Sequence, residues 1–345
     1  MVVVLAVSVA AVLAGARAYT VIAEWVADQS DEVLTALGVT TRVPSEPTIR
    51  RVLSAVDAAA LAAALGAFVW TRTAVAAGRR VIAIDGKSLR GAGGADGVLP
   101  HLVAALDQAT GTVLAQLATM AKSNEIPTVR TLLKTLDLTG AVVSIDAMHT
   151  QDDTAQTILD GGGDYVLTVK ANRPRLLAVL KCLPWKDVPG HSATDRGRGR
   201  RITRTIKVLQ APTGLPEWVA FPGAAQVAQL RRTRTTTTGK GTNRKATKSV
   251  EVVYVITSAD HRVAPPAVLA AWVQHHWRIE ALHWLRDMDY DEDRSQIRTG
   301  TGPETMATLR NTAISLLRLA GVKNIAAALR RNQAHPDKII NLLTR

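Results

Sequence analysis

An apolar, β-branched run that ends in an acid and a glycine, Val81-Ile82-Ala83-Ile84-Asp85-Gly86-Lys87-Ser88, constrains this chain more than any other stretch. Such a run reads as a buried strand that delivers a carboxylate to the rim of a sheet. The pattern returns at Ala141-Val142-Val143-Ser144-Ile145-Asp146-Ala147. An Asp that follows one strand is commonly a turn residue and nothing more. Two strands that each end in Asp, with an acidic helix later in the chain, point instead to carboxylates held side by side.

The residues around these strands alternate in the manner of a mixed sheet with helices on its faces. His101 to Asp107 and Gly111 to Leu117 read as a hairpin turned near Asp107-Gln108-Ala109-Thr110-Gly111. Asn124 is placed to cap a helix over 125–136, with Leu132, Leu133 and Leu136 facing inward. A further helix begins at Thr150 or Asp152 and stops at Gly161-Gly162-Gly163, ahead of a strand from Asp164 to Lys170. That triple glycine follows a helix and precedes a strand, the reverse of a phosphate-cradling loop.

Residues 1–78 read as helical and Ala-rich. Val2 to Ala14 is uncharged and apolar, and Ala16-Arg17-Ala18 has the form of a cleavage site, so a secretory signal is one reading. No Lys or Arg precedes the run, and it is too short to span a bilayer. A second amphipathic helix over 18–37 follows directly, which favours a buried helix and no membrane partner. Ser45-Glu46-Pro47 reads as the capped start of a basic helix carrying Arg50 and Arg51. Two short helices joined by a turn are also the form of a helix-turn-helix, with these arginines on the DNA side.

The chain of 345 residues carries 42 Lys and Arg against 29 Asp and Glu, a net charge of +13. That surplus favours a polyanionic partner, nucleic acid first. Much of it falls in residues 184–265, where Pro, Gly and Thr clusters indicate a mostly β insertion. Arg196-Gly197-Arg198-Gly199-Arg200-Arg201 is one basic run, and Arg231-Arg232-Thr233-Arg234 opens another that continues through Lys240, Arg244, Lys245 and Lys248. The single cysteine, Cys182, excludes an internal disulfide and a cysteine-based zinc site. Such cysteine usage makes the cytosol the natural compartment, so the expected localisation is cytoplasmic.

A helix is expected over Ala267 to Asp287, with Glu280 in an apolar, aromatic, His-rich setting. His276, Glu280 and His283 or Trp284 then share one face at helical spacing. Two strand-end Asp residues and a helix-borne Glu are what a two-metal site needs. Mg²⁺ takes carboxylate oxygens and keeps waters and phosphate oxygens as its other ligands. Two such ions can activate an attacking oxygen and stabilise a leaving one in phosphoryl transfer. A basic protein with that site would most simply act on a nucleic-acid backbone.

Four segments in order resemble the DDE transposases of bacterial insertion sequences, specifically the H-repeat-associated type. They are Ala83-Ile84-Asp85-Gly86-Lys87, Ser144 to Gln151, Tyr165 to Asn172, and His276-Trp277-Arg278-Ile279-Glu280-Ala281-Leu282-His283-Trp284. The resemblance covers about residues 5 to 320 and implies an α/β fold: an RNase H-like mixed sheet with flanking helices, a β-rich insertion and a helical N-terminal domain. The implied division is a DNA-binding or accessory domain over 1–78 and a catalytic core over 79–183. A basic insertion over 184–265, the helical end of the core over 266–321 and a basic tail over 322–345 complete it.

By position, Asp85, Asp146 and Glu280 are the catalytic and metal-binding acids, with Mg²⁺ as cofactor and Mn²⁺ able to substitute. His149, Lys170, Asn172, His276 and His283 are expected to support them. Arg50, Arg51, Lys87, Arg196, Arg198, Arg200, Arg201, Arg231 and Arg232 are expected to contact DNA. The implied reaction cleaves transposon ends and joins the freed 3′-hydroxyls to target DNA, within a homodimer. The chain departs from the pattern at two places. Asp287 stands seven residues after Glu280, where relatives often carry Lys or Arg, and Arg198-Gly199-Arg200 replaces a His-Gly-Arg triplet. Relatives carry more N-terminal sequence, so a truncated, inactive copy stays open. A domesticated DNA-binding protein and a plain RNase H-like nuclease are the alternative functions.

Overall fold

A computed structural model describes residues 1–73, 78–93, 99–119, 125–197, 199–216, 219–238 and 245–344. The chain falls into two compact units, one formed by residues 1–136 with 277–345 and the other by residues 137–276.

The first unit opens with α1 (Val2–Leu13), α2 (Tyr19–Ala27), α3 (Asp31–Ala36), α4 (Glu46–Leu53) and α5 (Ala58–Arg72). Three strands follow, β1 (Val81–Ser88), β2 (His101–Asp107) and β3 (Val113–Thr119), then α6 (Glu125–Lys134). The second unit holds β4 (Val142–Ile145), α7 (Asp152–Asp160), β5 (Asp164–Val169) and α8 (Pro174–Cys182). It continues through β6 (Gly190–Gly197), β7 (Arg200–Gln210), β8 (Gln226–Thr238), β9 (Lys245–Thr257) and α9 (Pro266–His275). The chain returns to the first unit with α10 (Arg278–Tyr290), α11 (Gly302–Leu319), α12 (Ile325–Ala334) and α13 (Asp337–Leu343).

In the first unit the strands run antiparallel in the order β3-β2-β1, as the hairpin pattern predicts. β2 is buried along its whole length. α11 is buried at Gly302, Pro303 and from Thr305 to Leu317 although it carries Thr308, Arg310, Asn311 and Ser315. Thr308, Asn311 and Ser315 survive burial because β3 answers them, and Arg310 because Glu292 does. The Ser315 hydroxyl accepts from the Val113 N–H at 3.0 Å, and the Gln116 amide donates to Thr308 Oγ1 at 3.0 Å. α5 lies so close to β3 that a Cβ on Gly66 would stand 2.3 Å from the Leu114 carbonyl oxygen.

α1 is packed inside this unit, with Val7 and Ala10 to Leu13 excluded from solvent. The Asn332 amide donates to the Leu13 carbonyl at 3.0 Å and satisfies that carbonyl at the helix end. Among the described residues no single helix is long and apolar enough to cross a membrane. The amphipathic stretch over 18–37 forms two helices rather than one, broken at 28–30 where Asp28 leaves the helical conformation. Ser45 takes the N-cap position of α4, but its hydroxyl meets Thr48 Oγ1 at 3.2 Å instead of capping a backbone N–H. The Asn124 cap lies outside the described residues.

In the second unit the strand order is β4-β5-β9-β8-β7-β6. β4 and β5 are parallel, and the remaining neighbours are antiparallel. β4 is buried throughout, which is why it reads as a continuous apolar run. The insertion is β as expected, with β7, β8 and β9 reaching 11 to 13 residues. Their distal halves are half-buried to exposed on both faces, consistent with Arg and Thr in place of apolar alternation. The mixed α/β architecture with flanking helices agrees with the fold class expected from sequence.

Candidate active site

Asp85 is not at a strand end. β1 continues three residues beyond it because Gly86, Lys87 and Ser88 still pair with Val103, Leu102 and His101. The Asp85 side chain keeps 27% exposure and has His283 Nδ1 3.6 Å from its carboxylate, beyond hydrogen-bond length. Burial, then the charges of Arg286 and Lys87, push the His283 pKa down to about 3, so its ring is neutral at pH 7.

Gly86 is required by close approach. A Cβ there would sit 2.2 Å from His101 Nε2 and 2.8 Å from the Glu125 carboxyl carbon. Those two side chains are almost fully buried and face each other at 2.8 Å. Gly86→Ala must therefore displace a buried pair, an overpacking cost of about 1–3 kcal/mol. A lowered urea midpoint at unchanged slope is the expected measurement.

Glu280 lies in the first turn of α10 and is exposed, as are Trp277 and Trp284 on the same helix face. The single helix expected over 267–287 is instead two, α9 and α10, separated at His276 and Trp277. His276 thus belongs to the second unit, its ring held by Ser144 Oγ at 2.9 Å, and it does not continue the helix face of Glu280 and His283.

Lys87, expected from sequence to contact DNA, has its side chain turned inward. Its side chain is 9% exposed, and its ammonium lies 2.6 Å from Asp287, 3.5 Å from Asp293 and 4.0 Å from Glu292. Asp287, the departure seven residues after Glu280, is therefore the partner of a cation brought from β1. Glu292 is buried between two guanidiniums, with Arg286 Nε at 2.9 Å and Arg310 Nη1 at 2.8 Å. Burial alone would raise its pKa, but Arg286 and Arg310 outweigh burial and hold it at about 2. This buried network was missed in the sequence. An Arg inside the otherwise uncharged stretch from Met306 to Leu317 was the available signal, since a cation there needs a buried acid.

In the second unit Asp146 follows β4 and starts a 3₁₀ turn over Ala147–His149. Its side chain is 53% exposed, with the Lys170 ammonium 3.5 Å away. Asn172 donates to the Ala147 carbonyl at 2.6 Å and ties down the turn that Asp146 begins. His149 in that turn is buried. Burial lowers the His276 pKa against the opposing pull of Asp146. Asp146, Lys170, Asn172 and His276 are thus gathered in one unit, while Asp85, Glu280 and His283 belong to the other. The accessible carboxylates of Asp85 and Asp146 are hard oxygen donors, the type that suits a divalent cation. Among the described residues, no three His, Cys, Asp or Glu side chains are gathered as a metal-holding group.

Arg50 and Arg51 are exposed on α4, with Arg50 paired to Glu46 through a 2.9 Å bond from Nε. Arg196, Arg200, Arg201 and Arg231 are exposed on the insertion strands. Arg232 is paired with Glu251 across β8 and β9. Arg198 lies outside the described residues, as do Lys240 and Arg244.

Comparison with known proteins gives a consistent set of similarities. The family model described as "Transposase DDE domain" matches residues 76–316. A second model, "DDE_Tnp_1-associated", matches residues 1–69. "Putative transposase YncI" of Escherichia coli O157:H7 is 31% identical over 305 residues, covering 84% of this chain and 74% of that protein. "H repeat-associated putative transposase YhhI" of Escherichia coli K12 is 31% identical over 304 residues, covering 84% of this chain and 76% of that protein. Among solved structures, a piggyBac transposase in a synaptic complex with hairpin DNA is 12% identical, with a TM-score of 0.40 over 78% of this chain and 54% of that one.

Proposed function

The chain belongs to the DDE transposase family, and from that premise we propose that it cleaves insertion-sequence ends and joins the freed 3′-hydroxyls to target DNA. The observation that carries this reading is the family match over residues 76–316, which takes in Asp85, Asp146 and Glu280. The net charge of +13 supports a DNA partner. The reading places the reaction in the cytoplasm and on two bound ends, hence in a homodimer.

Asp85, Asp146 and Glu280 are the residues we assign to hold Mg²⁺, or Mn²⁺ in its place. Bound divalent cations would supply charge stabilisation for phosphoryl transfer. Lys170, 3.5 Å from Asp146 and exposed, is placed to meet a phosphate that approaches this carboxylate. Asn172 holds the turn carrying Asp146 through its bond to the Ala147 carbonyl. Neutral His276 and His283 add polar contact beside the acids without adding positive charge.

Strand transfer on pre-cleaved ends tests the proposal, with each acid replaced in turn. Joined product from wild type, lost in Asp85→Ala, Asp146→Ala and Glu280→Ala alike, is the expected result. Wild-type protein that binds ends but never cuts or joins them would leave a DNA-binding protein. Cutting without joining would leave a nuclease. Asn172→Ala should lower the joining rate about tenfold, as expected for roughly 1–1.5 kcal/mol from one lost hydrogen bond.

A further inference from the structure

The distal parts of β6 to β9 expose two faces that differ first in the placement of acids. Residues paired across antiparallel strands present their side chains to the same face, and faces alternate along each strand. Arg196 pairs with Arg201, Arg201 with Thr235, and Thr235 with Lys248, so three cations share one row across four strands. Four residues along β8, on the same face, is Arg231, paired with Thr205 and Val252. All four cations are exposed. The only acids in these four strands, Asp195 and Glu251, lie on the opposite face. There they are paired with Arg204 and Arg232.

Two further features favour an occupant on the acid-free face. Val250 and Val252 are 47% and 45% exposed there. Hydroxyls are linked across the strands at Ser192–Thr205, 2.7 Å, and Thr194–Thr203, 2.9 Å. Three strand spacings of about 4.8 Å and four residues of about 3.4 Å give a patch roughly 14 Å on each side. That matches the width of a B-DNA major groove, about 12 Å, between phosphate walls.

We propose that the face bearing Arg196, Arg201, Arg231 and Lys248 lies on duplex DNA through its phosphates, and that the opposite face does not. The inference rests on the transposase reading and deepens it, because it divides the basic insertion into a contacting and a non-contacting side. Arg200 and Arg232, grouped from sequence with the DNA-contacting cations, are reassigned by this proposal: with Arg234 and Lys245 they share the face of Asp195 and Glu251, where the local field is partly neutralised.

Fluorescence anisotropy with a mixed-sequence 30-base-pair duplex tests the division. The full chain would be titrated between about 50 and 200 mM salt, the range in which phosphate contacts are resolved. R196A/R201A/K248A and R200A/R234A/K245A remove the same charge from opposite faces. Each lost phosphate contact flattens the log-log salt dependence by about 0.9, so the first triple should lose about 3 from its slope and the second almost nothing. Val250→Glu, which places a carboxylate on the contacting face without removing an Arg, should weaken binding as well. Thermal melts of all variants should match wild type, because the changed side chains are exposed. Equal losses from both triples, or none from the first while wild type binds, would overturn the face assignment and leave the transposase reading standing. Wild-type protein with no affinity for the duplex would sink both.

Discussion

Glu292→Ala is expected to destabilise the first unit by about 3–5 kcal/mol, the cost of leaving buried cations unpaired. Glu292 is 2% exposed and lies between Arg286 of α10 and Arg310 of α11, themselves 0% and 2% exposed. Lys87 of β1 is 4.0 Å from the same carboxylate. Removal of this acid leaves Arg286 and Arg310 desolvated with no counter-charge. The contact also joins the strand that carries Asp85 to the helix that carries Glu280, so its loss should loosen both. Urea denaturation checks the magnitude.

The same group sets an acid limb in stability. The folded pKa of Glu292 is about 2, against an ordinary value of 4.5. A carboxylate depressed on folding contributes stability above its unfolded pKa and loses it as pH falls through the folded one. The contribution, about 3 kcal/mol at 1.36 kcal/mol per pH unit, should fade between pH 4.5 and 2. In Glu292→Gln that part of the acid limb should be absent. A stability curve of unchanged shape would assign the ion network elsewhere.

Much of the fold was legible because its elements carry strong local patterns. The hairpin of β2 and β3, the buried run of β4 and the triple glycine before β5 were all readable from period and turn chemistry. What was not legible depended on contacts distant in sequence. Asp85 reads as a strand end because an acid and a glycine normally close a strand. Here the strand continues because Gly86 admits the buried His101–Glu125 pair beside it. The helix over 267–287 reads as continuous because nothing in its composition breaks it. The break comes at His276, whose ring is held by Ser144, 132 residues earlier. Lys87 reads as a surface cation next to an acid, and only the fold brings Asp287 to it from 200 residues away.

Asp146→Ala offers the cleanest test of the proposed chemistry, and is expected to lower strand joining on the order of 10³-fold. Loss of several kcal/mol of transition-state stabilisation corresponds to that factor at about 1.4 kcal/mol per tenfold change. The choice of this acid follows from its surroundings. Asp85 lies in a strand beside the half-buried His283, so its replacement could disturb packing as well as chemistry. Asp146 has 53% of its side chain exposed and one cation, Lys170, at 3.5 Å. An exposed ion pair of that kind contributes roughly 0–1 kcal/mol to stability. A variant that melts within a few degrees of wild type and binds duplex DNA with the wild-type salt slope, yet joins no ends, would isolate the carboxylate's chemical role. A variant that joins ends at the wild-type rate would remove Asp146 from the catalytic set, whatever the family resemblance.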